Sequence, residues 1–287
     1  MGWHGYLTLW CAVFGALALI GYGRSLAGVT GAQRTVRVRG RIEQVRTPRH
    51  GGSRHGGIWV VVSYRDPSTG QAVTVTNDGD CGEMITAAWT DREIGIHYPR
   101  GRPHALRFTG DPGEGGGRGL GRPNAAAFLV CLGLVALAAI DWGWPWALIG
   151  AGGPLAVLTA GQLPGNIRDV RRRREELASM AAVRGRVVAV LKDVGTDAEG
   201  GTFTTITPVV AFTTHEGRAV TAHCTSGLPD PARSYGREVT IHYLPADPSV
   251  FTADRGAEHG SLAWDVPVNV LVLIITAAAA AVGVALL

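Results

Sequence analysis

Four stretches of this chain stay apolar for long enough to cross a bilayer, and they constrain the rest of the fold. A span needs about 20 mostly apolar residues, because a hydrocarbon core of about 30 Å meets a helical rise of about 1.5 Å per residue. The blocks run from Trp3 to Tyr22, Ala125 to Ile140, Trp144 to Leu163 and Val266 to Leu287. None shows the polar face, recurring every three or four residues, of a helix packed on a water-soluble core. The second block is the shortest, and the third is interrupted by Gly150, Gly152, Gly153 and Pro154. Transmembrane helices are therefore predicted over 3–22, 125–140, 144–163 and 266–287.

Arginine placement orients them, since basic residues near span ends stay on the cytoplasmic side. Met1–His4 carries none, whereas Arg24, Arg34, Arg37, Arg39 and Arg41 follow the first block. Arg118 and Arg122 precede the second, and Arg168 with Arg171, Arg172, Arg173 and Arg174 follows the third. The short connection around Asp141 has no basic residue. Both large hydrophilic segments are expected in the cytoplasm and both termini outside, in a bacterial plasma membrane. A secretory signal peptide would place its basic residues before the apolar run instead of after it. Cys11 and Cys131 lie in the apolar blocks, and Cys81 and Cys224 lie one in each hydrophilic segment. With no CxxC, neither a zinc site nor a disulfide framework is suggested, and free thiols fit a reducing compartment.

Lys192 is the only lysine, a bias of GC-rich bacterial coding, so abundant arginine is poor grounds for a nucleic-acid partner, and none is expected. The segment 166–181 with its four consecutive arginines is expected to favour anionic lipid headgroups, at about 1 kcal/mol per basic residue near the surface.

The hydrophilic segments repeat. "VRGRI" at Val38 returns as "VRGRV" at Val183, His97 returns as His242 and Pro103 as Pro248, each 145 residues on. The same shift carries the first apolar block onto the third and the second onto the fourth. The chain thus reads as helix, module and helix, written twice, with parallel repeats of the kind related by an axis along the membrane normal. Module 1 is expected over 30–110, a Gly-rich linker over 111–123 and module 2 over 182–256.

Each module reads as β structure. Val36, Val38 and Ile42 alternate with Arg37, Arg39 and Arg41, the period of a half-buried strand. Gly40 and Gly185 fall at its inward position, where a bulge or close backbone approach is expected. "WVVVSY" and "AVTVT", like "TPVVAF" and "AVTAH", flank Gly-containing hairpin loops. Ile94, Ile96 and Tyr98, and in the second copy Val239, Ile241 and Tyr243, form one face of a further strand. About five strands in roughly 75 residues suit a small antiparallel barrel or sandwich.

The openings "RGRI" and "RGRV", with the ending Val239, Ile241, Tyr243, Pro245, Asp247 and Pro248, resemble the bacterial membrane-protein family called domain of unknown function 3592, in two tandem copies. The first copy departs from that pattern at Pro99, Arg100 and Arg102. The resemblance implies membrane-attached β modules and no particular activity.

His97 and His242 are the first candidates for chemistry, as a metal or acid–base pair shared by the modules. Their strand position alone predicts histidines on the face opposite the Ile and Tyr, and neither has a second ligand at metal spacing. His50 and His55, in the Gly-rich "RHGGSRHGG", are weaker metal candidates lacking a carboxylate or thiolate neighbour; composition predicts a mobile loop there. No catalytic signature appears, and no cofactor is expected. The expectation is a non-enzymatic scaffold whose β modules bind each other or an unknown protein partner. A membrane enzyme or protease accessory with a site between the modules is the alternative, and small-solute transport the third reading.

Overall fold

The structure is a computed structural model and describes residues 2–29, 34–53, 57–67, 69–77, 84–100, 105–110, 120–197, 200–225 and 227–287. His55, Cys81, Pro103, Arg118 and most of the expected linker lie outside these residues. The chain divides into a helical unit (Met1–Arg34, Gly117–Arg174, Gly260–Leu287) and a β unit (Thr35–Gly116, Glu175–His259).

The described residues form four α-helices: α1 (Trp3–Leu26), α2 (Gly121–Trp142), α3 (Pro145–Ser179) and α4 (Arg255–Ala285). Each is long and apolar enough to cross a membrane. The second apolar block is no exception, because α2 starts four residues before Ala125, and its 22 residues reach about 33 Å. Large apolar side chains such as Ile20, Val157 and Ile274 remain more than half exposed in the protein alone. α3 runs on past the apolar window through the expected juxtamembrane segment, where Arg, Glu, Leu and Ala are good helix formers. α4 begins well before Val266, where the Asp254 carboxylate accepts from the Ala257 N–H at 3.0 Å and caps it.

α1 and α2 run antiparallel and are tied at both ends. His4 Nε2 lies 2.6 Å from Asp141 Oδ1, the Trp10 indole N–H donates to the Leu129 carbonyl at 3.1 Å, and Tyr22 donates to Asn124 at 2.8 Å. Small residues set the close approaches. A Cβ on Gly133 would meet Cys11 Sγ at 2.6 Å, one on Gly152 the Thr276 carbonyl at 2.7 Å, and one on Gly283 the Pro145 carbonyl at 2.8 Å. Gly152, among the glycines interrupting the third apolar block, is thus a contact point between helices packed by shape.

The described residues of the β unit form eleven strands: β1 (Thr35–Arg46), β2 (Trp59–Arg65), β3 (Ala72–Thr76), β4 (Ala87–Ala88), β5 (Glu93–Pro99), β6 (Arg107–Thr109), β7 (Ala181–Thr196), β8 (Thr202–Thr213), β9 (Ala219–His223), β10 (Glu238–Leu244) and β11 (Asp247–Thr252). They build two antiparallel sheets, ordered β3-β2-β1-β5-β6 and β11-β10-β7-β8-β9-β4. Apart from β4, the two orders correspond strand for strand under the 145-residue shift. Details correspond as well. A register shift falls between Ile42 and Gln44 in β1 and between Val187 and Ala189 in β7. Ile42 N–H donates to the Arg92 carbonyl at 2.9 Å, and Val187 N–H to that of Arg237 at 3.0 Å.

The expected inward faces form the cores. Ile42, Val60, Val62, Ile94, Ile96 and Phe108 are buried in the first sheet, and Val187, Val210, Val220, Ile241 and Tyr243 in the second. Ends of the second sheet converge: Ser249 and Phe251 of β11 share a cavity of about 210 Å³ with Ala87 of β4 and His223 of β9.

Sequence periodicity could not foresee how the sheets are joined. β4, from the first hydrophilic segment, pairs with β9, Ala87 opposite Ala222 and Ala88 opposite Thr221. The following Trp89 is buried in the core of the second sheet. The Gly-rich loop after β1 also reaches across: Gly51 N–H donates to the Val190 carbonyl at 2.9 Å, Lys192 N–H to that of Gly52 at 3.0 Å, and the Ser53 hydroxyl to Asp193 at 2.6 Å. Residues 49–53 of that loop are therefore docked on β7, contrary to the expectation of mobility from composition.

Candidate functional site

Two concavities sit at corresponding places on the two sheets. Arg39, Gly40, Arg41, Tyr64, Ala72 and Glu93 line one of about 300 Å³. Arg184, Gly185, Arg186, Phe212, Ala219 and Glu238 line the other, of about 460 Å³. Every one of these residues occupies the matching ladder position, since Gly40 opposes Tyr64 as Gly185 opposes Phe212, and Arg41 opposes Glu93 as Arg186 opposes Glu238.

Glycine shapes both. A Cβ on Gly40 would lie 2.5 Å from Ile96 Cδ1 and 2.6 Å from Val62 Cγ1; one on Gly185 would lie 2.9 Å from Ile241 Cγ1 and 3.2 Å from the Ala211 carbonyl. Without that atom the strand settles onto the core, and its outer surface is dished between two arginines. Arg39 reaches Glu93 at 3.5 Å and Arg41 reaches Asp91 at 2.8 Å, while Arg186 donates to the Gly236 carbonyl at 3.3 Å. These groups are exposed, so each surface pair contributes at most about 1 kcal/mol. The arginines are held in place yet open to an incoming ligand.

The concavities differ in one charge. Arg65, opposite Ala72, stands at the rim of the first, and its counterpart in the second is Thr213, opposite Ala219. Arg65 has no ion pair among the described residues.

His97 and His242 occupy the half-buried outer face of their strands. His97 opposes Arg37 and Arg107, and His242 opposes Ala182 and Thr252, so each has ladder neighbours only within its own sheet. His242 Nδ1 is buried with no hydrogen-bond partner among the described residues. The His50 ring stacks on Tyr235 at 4.0 Å and its Nδ1 accepts from the Val190 N–H at 3.2 Å, which gives it a docking role. Among the described residues, no group of three His, Cys, Asp or Glu side chains is placed to hold a metal ion. Arg171, Arg172, Arg173 and Arg174 follow one another in α3, so helical geometry spreads them around its circumference.

The tyrosines beside those histidines have a part that spacing did not reveal. Tyr98 donates to Asp66 Oδ1 at 2.9 Å, and the Tyr243 hydroxyl accepts from the His215 N–H at 2.9 Å. Tyr98 thus ties β5 to the turn between β2 and β3, and Tyr243 ties β10 to the turn between β8 and β9. Burial, reinforced by the hydrogen bond to Asp66, pushes the Tyr98 phenol up to about 12. Cys224 is buried with Ala222 and Val220 in the core of the second sheet.

No family model, curated protein or solved structure matches this chain.

Proposed function

We propose that this chain is an integral membrane protein assembled from two copies of a helix–β–helix unit, and that it acts as a non-enzymatic scaffold whose two β modules bind a protein partner in the cytoplasm. The resemblance to the domain of unknown function 3592 family belongs to this reading, as do outward-facing termini and contact of Arg171–Arg174 with anionic lipid. The observation that carries it is the twin concavity: both sheets present the same Arg-Gly-Arg strand beside the same glutamate, at matching positions. A shallow basic dish offers charge and shape for recognition but no paired acid and base for catalysis.

The test places a photo-crosslinking amino acid at Ser63 and, separately, at Ala211, then irradiates native membranes. A shared crosslinked partner that disappears with Arg39→Glu and Arg184→Glu is expected. Crosslinks confined to lipid, or different partners at the two positions, would overturn the twin-site scaffold. Orientation is read in the same cells with Glu216→Cys and Leu286→Cys in a cysteine-free background, because Cys224 is too buried to report. An impermeant thiol reagent is expected to label only Leu286→Cys from outside.

A further inference from the structure

β3 and β9 are corresponding strands, "AVTVT" and "AVTAH", each outermost in its own five-strand set. β9 is covered by β4, whereas no strand among the described residues pairs with the outer side of β3. Burial follows: Val220 and Ala222 are 1% and 0% exposed, while Val73 and Val75 at the same positions are only partly buried. The segment corresponding to β4 in the second module, Pro231–Arg233, is a 3-10 turn and gives nothing back. β3 also lacks the charges, prolines and bulges that usually protect a sheet edge.

We propose that the outer edge of β3 takes up an extended segment of a partner protein as an added strand, with small apolar side chains over Val73 and Val75 and an acidic side chain reaching Arg65. The proposal rests on the scaffold reading and names what the first module recognises. Its precedent is within the chain, where β4 lays Ala87 and Ala88 along β9 and anchors with Trp89. The backbone polarity is right. Asp66 N–H donates to the Gln71 carbonyl and Asn77 N–H to that of Val60, so β3 alternates inward pairs with the outward-pointing amides of Ala72 and Thr74. Strand addition satisfies such amides through main-chain bonds and takes specificity from alternate side chains. A strand beside β3 lies about 10 Å from β2, within reach of a Glu paired to Arg65 across Ala72. The second concavity, with Thr213 in place of Arg65 and β4 already seated, cannot bind in this way.

The full-length protein in nanodiscs is titrated with a short fluorescein-labelled peptide alternating Glu with Val and Ala. It is expected to bind, and to weaken at least about tenfold when the amides facing β3 are N-methylated. A similar loss is expected when Lys replaces Glu, and with Arg65→Glu. Thr74→Pro, which removes an outward amide only, should abolish binding; if that variant misfolds, the N-methylated peptide decides alone. Equal binding of methylated and unmethylated peptides, or no binding, overturns the proposal. Absent peptide binding with intact shared crosslinks at Ser63 and Ala211 removes this inference and leaves the scaffold reading standing.

Discussion

Among the described residues the first sheet ends at β3, whereas the second continues past the corresponding strand into β4, borrowed from the first hydrophilic segment. One strand order therefore serves two situations: module 2 is completed by its neighbour, and module 1 completes nothing of its own. The two sheets share a strand order and differ at this one edge, which β4 covers in the second.

The largest expected effect breaks that borrowing. Trp89→Ala should cost about 3–5 kcal/mol, a range usual for buried aromatics, and the loss should fall on the second sheet although Trp89 precedes β5. Hydrogen exchange checks this: the His223 amide, which donates to the Thr86 carbonyl at 2.7 Å, should lose protection while β1 and β2 keep theirs. Earlier loss in β1 would reverse the direction of dependence.

Next comes the tyrosine anchor, where the modules use different partners. Tyr98→Phe takes one donor away from the buried Asp66 carboxylate and should cost about 1–3 kcal/mol. The raised Tyr98 phenol means that the folded state holds its proton more tightly than the unfolded chain. Its stabilisation is complete below pH 10 and is lost as pH rises through about 12. Denaturant midpoints measured from neutral to strongly alkaline pH should fall steeply across that window in the native protein, and less steeply in Tyr98→Phe.

The smallest effect concerns one turn. Asp91 and Gly236 correspond and both have positive φ, 72° and 76°. Asp91→Gly should raise stability by up to about 1 kcal/mol through relief of backbone strain, less whatever the exposed Arg41 pair contributes. Gly236→Ala should lower stability by a similar amount. Thermal melts of the two variants sharpen the comparison, and an unstable Asp91→Gly would show that the ion pair outweighs the backbone.

Much of the sheet architecture was legible because it rests on local period. Val36, Val38 and Ile42, and Ile94, Ile96 and Tyr98, alternate in sequence and pack on one face. The buried Gly40 and Gly185 were recognisable as close approaches, since an inward strand face normally carries apolar side chains and a missing one lets a neighbour move in. β4 was not legible, because two alanines carry no period and their partner lies far along the chain. Nor was the basic dish, which depends on Tyr64 and Ala72 arriving beside β1 through strand pairing. The docking of His50 on β7 was hidden for a related reason: composition describes a Gly-rich loop, not the strand it meets.

The ladder between Ala87 and Ala222 closes a loop of 135 residues that contains both α2 and α3. Loop closure of that length makes the contact slow relative to the hairpins. As the chain is synthesised, β1, β2 and β3 can pair before β9 exists, while Ala87, Ala88 and Trp89 wait for a strand made much later. Completion of the second sheet thus reports that everything between has been made and placed. An expressed second half, lacking those three residues, would begin life with an exposed edge and an unfilled core.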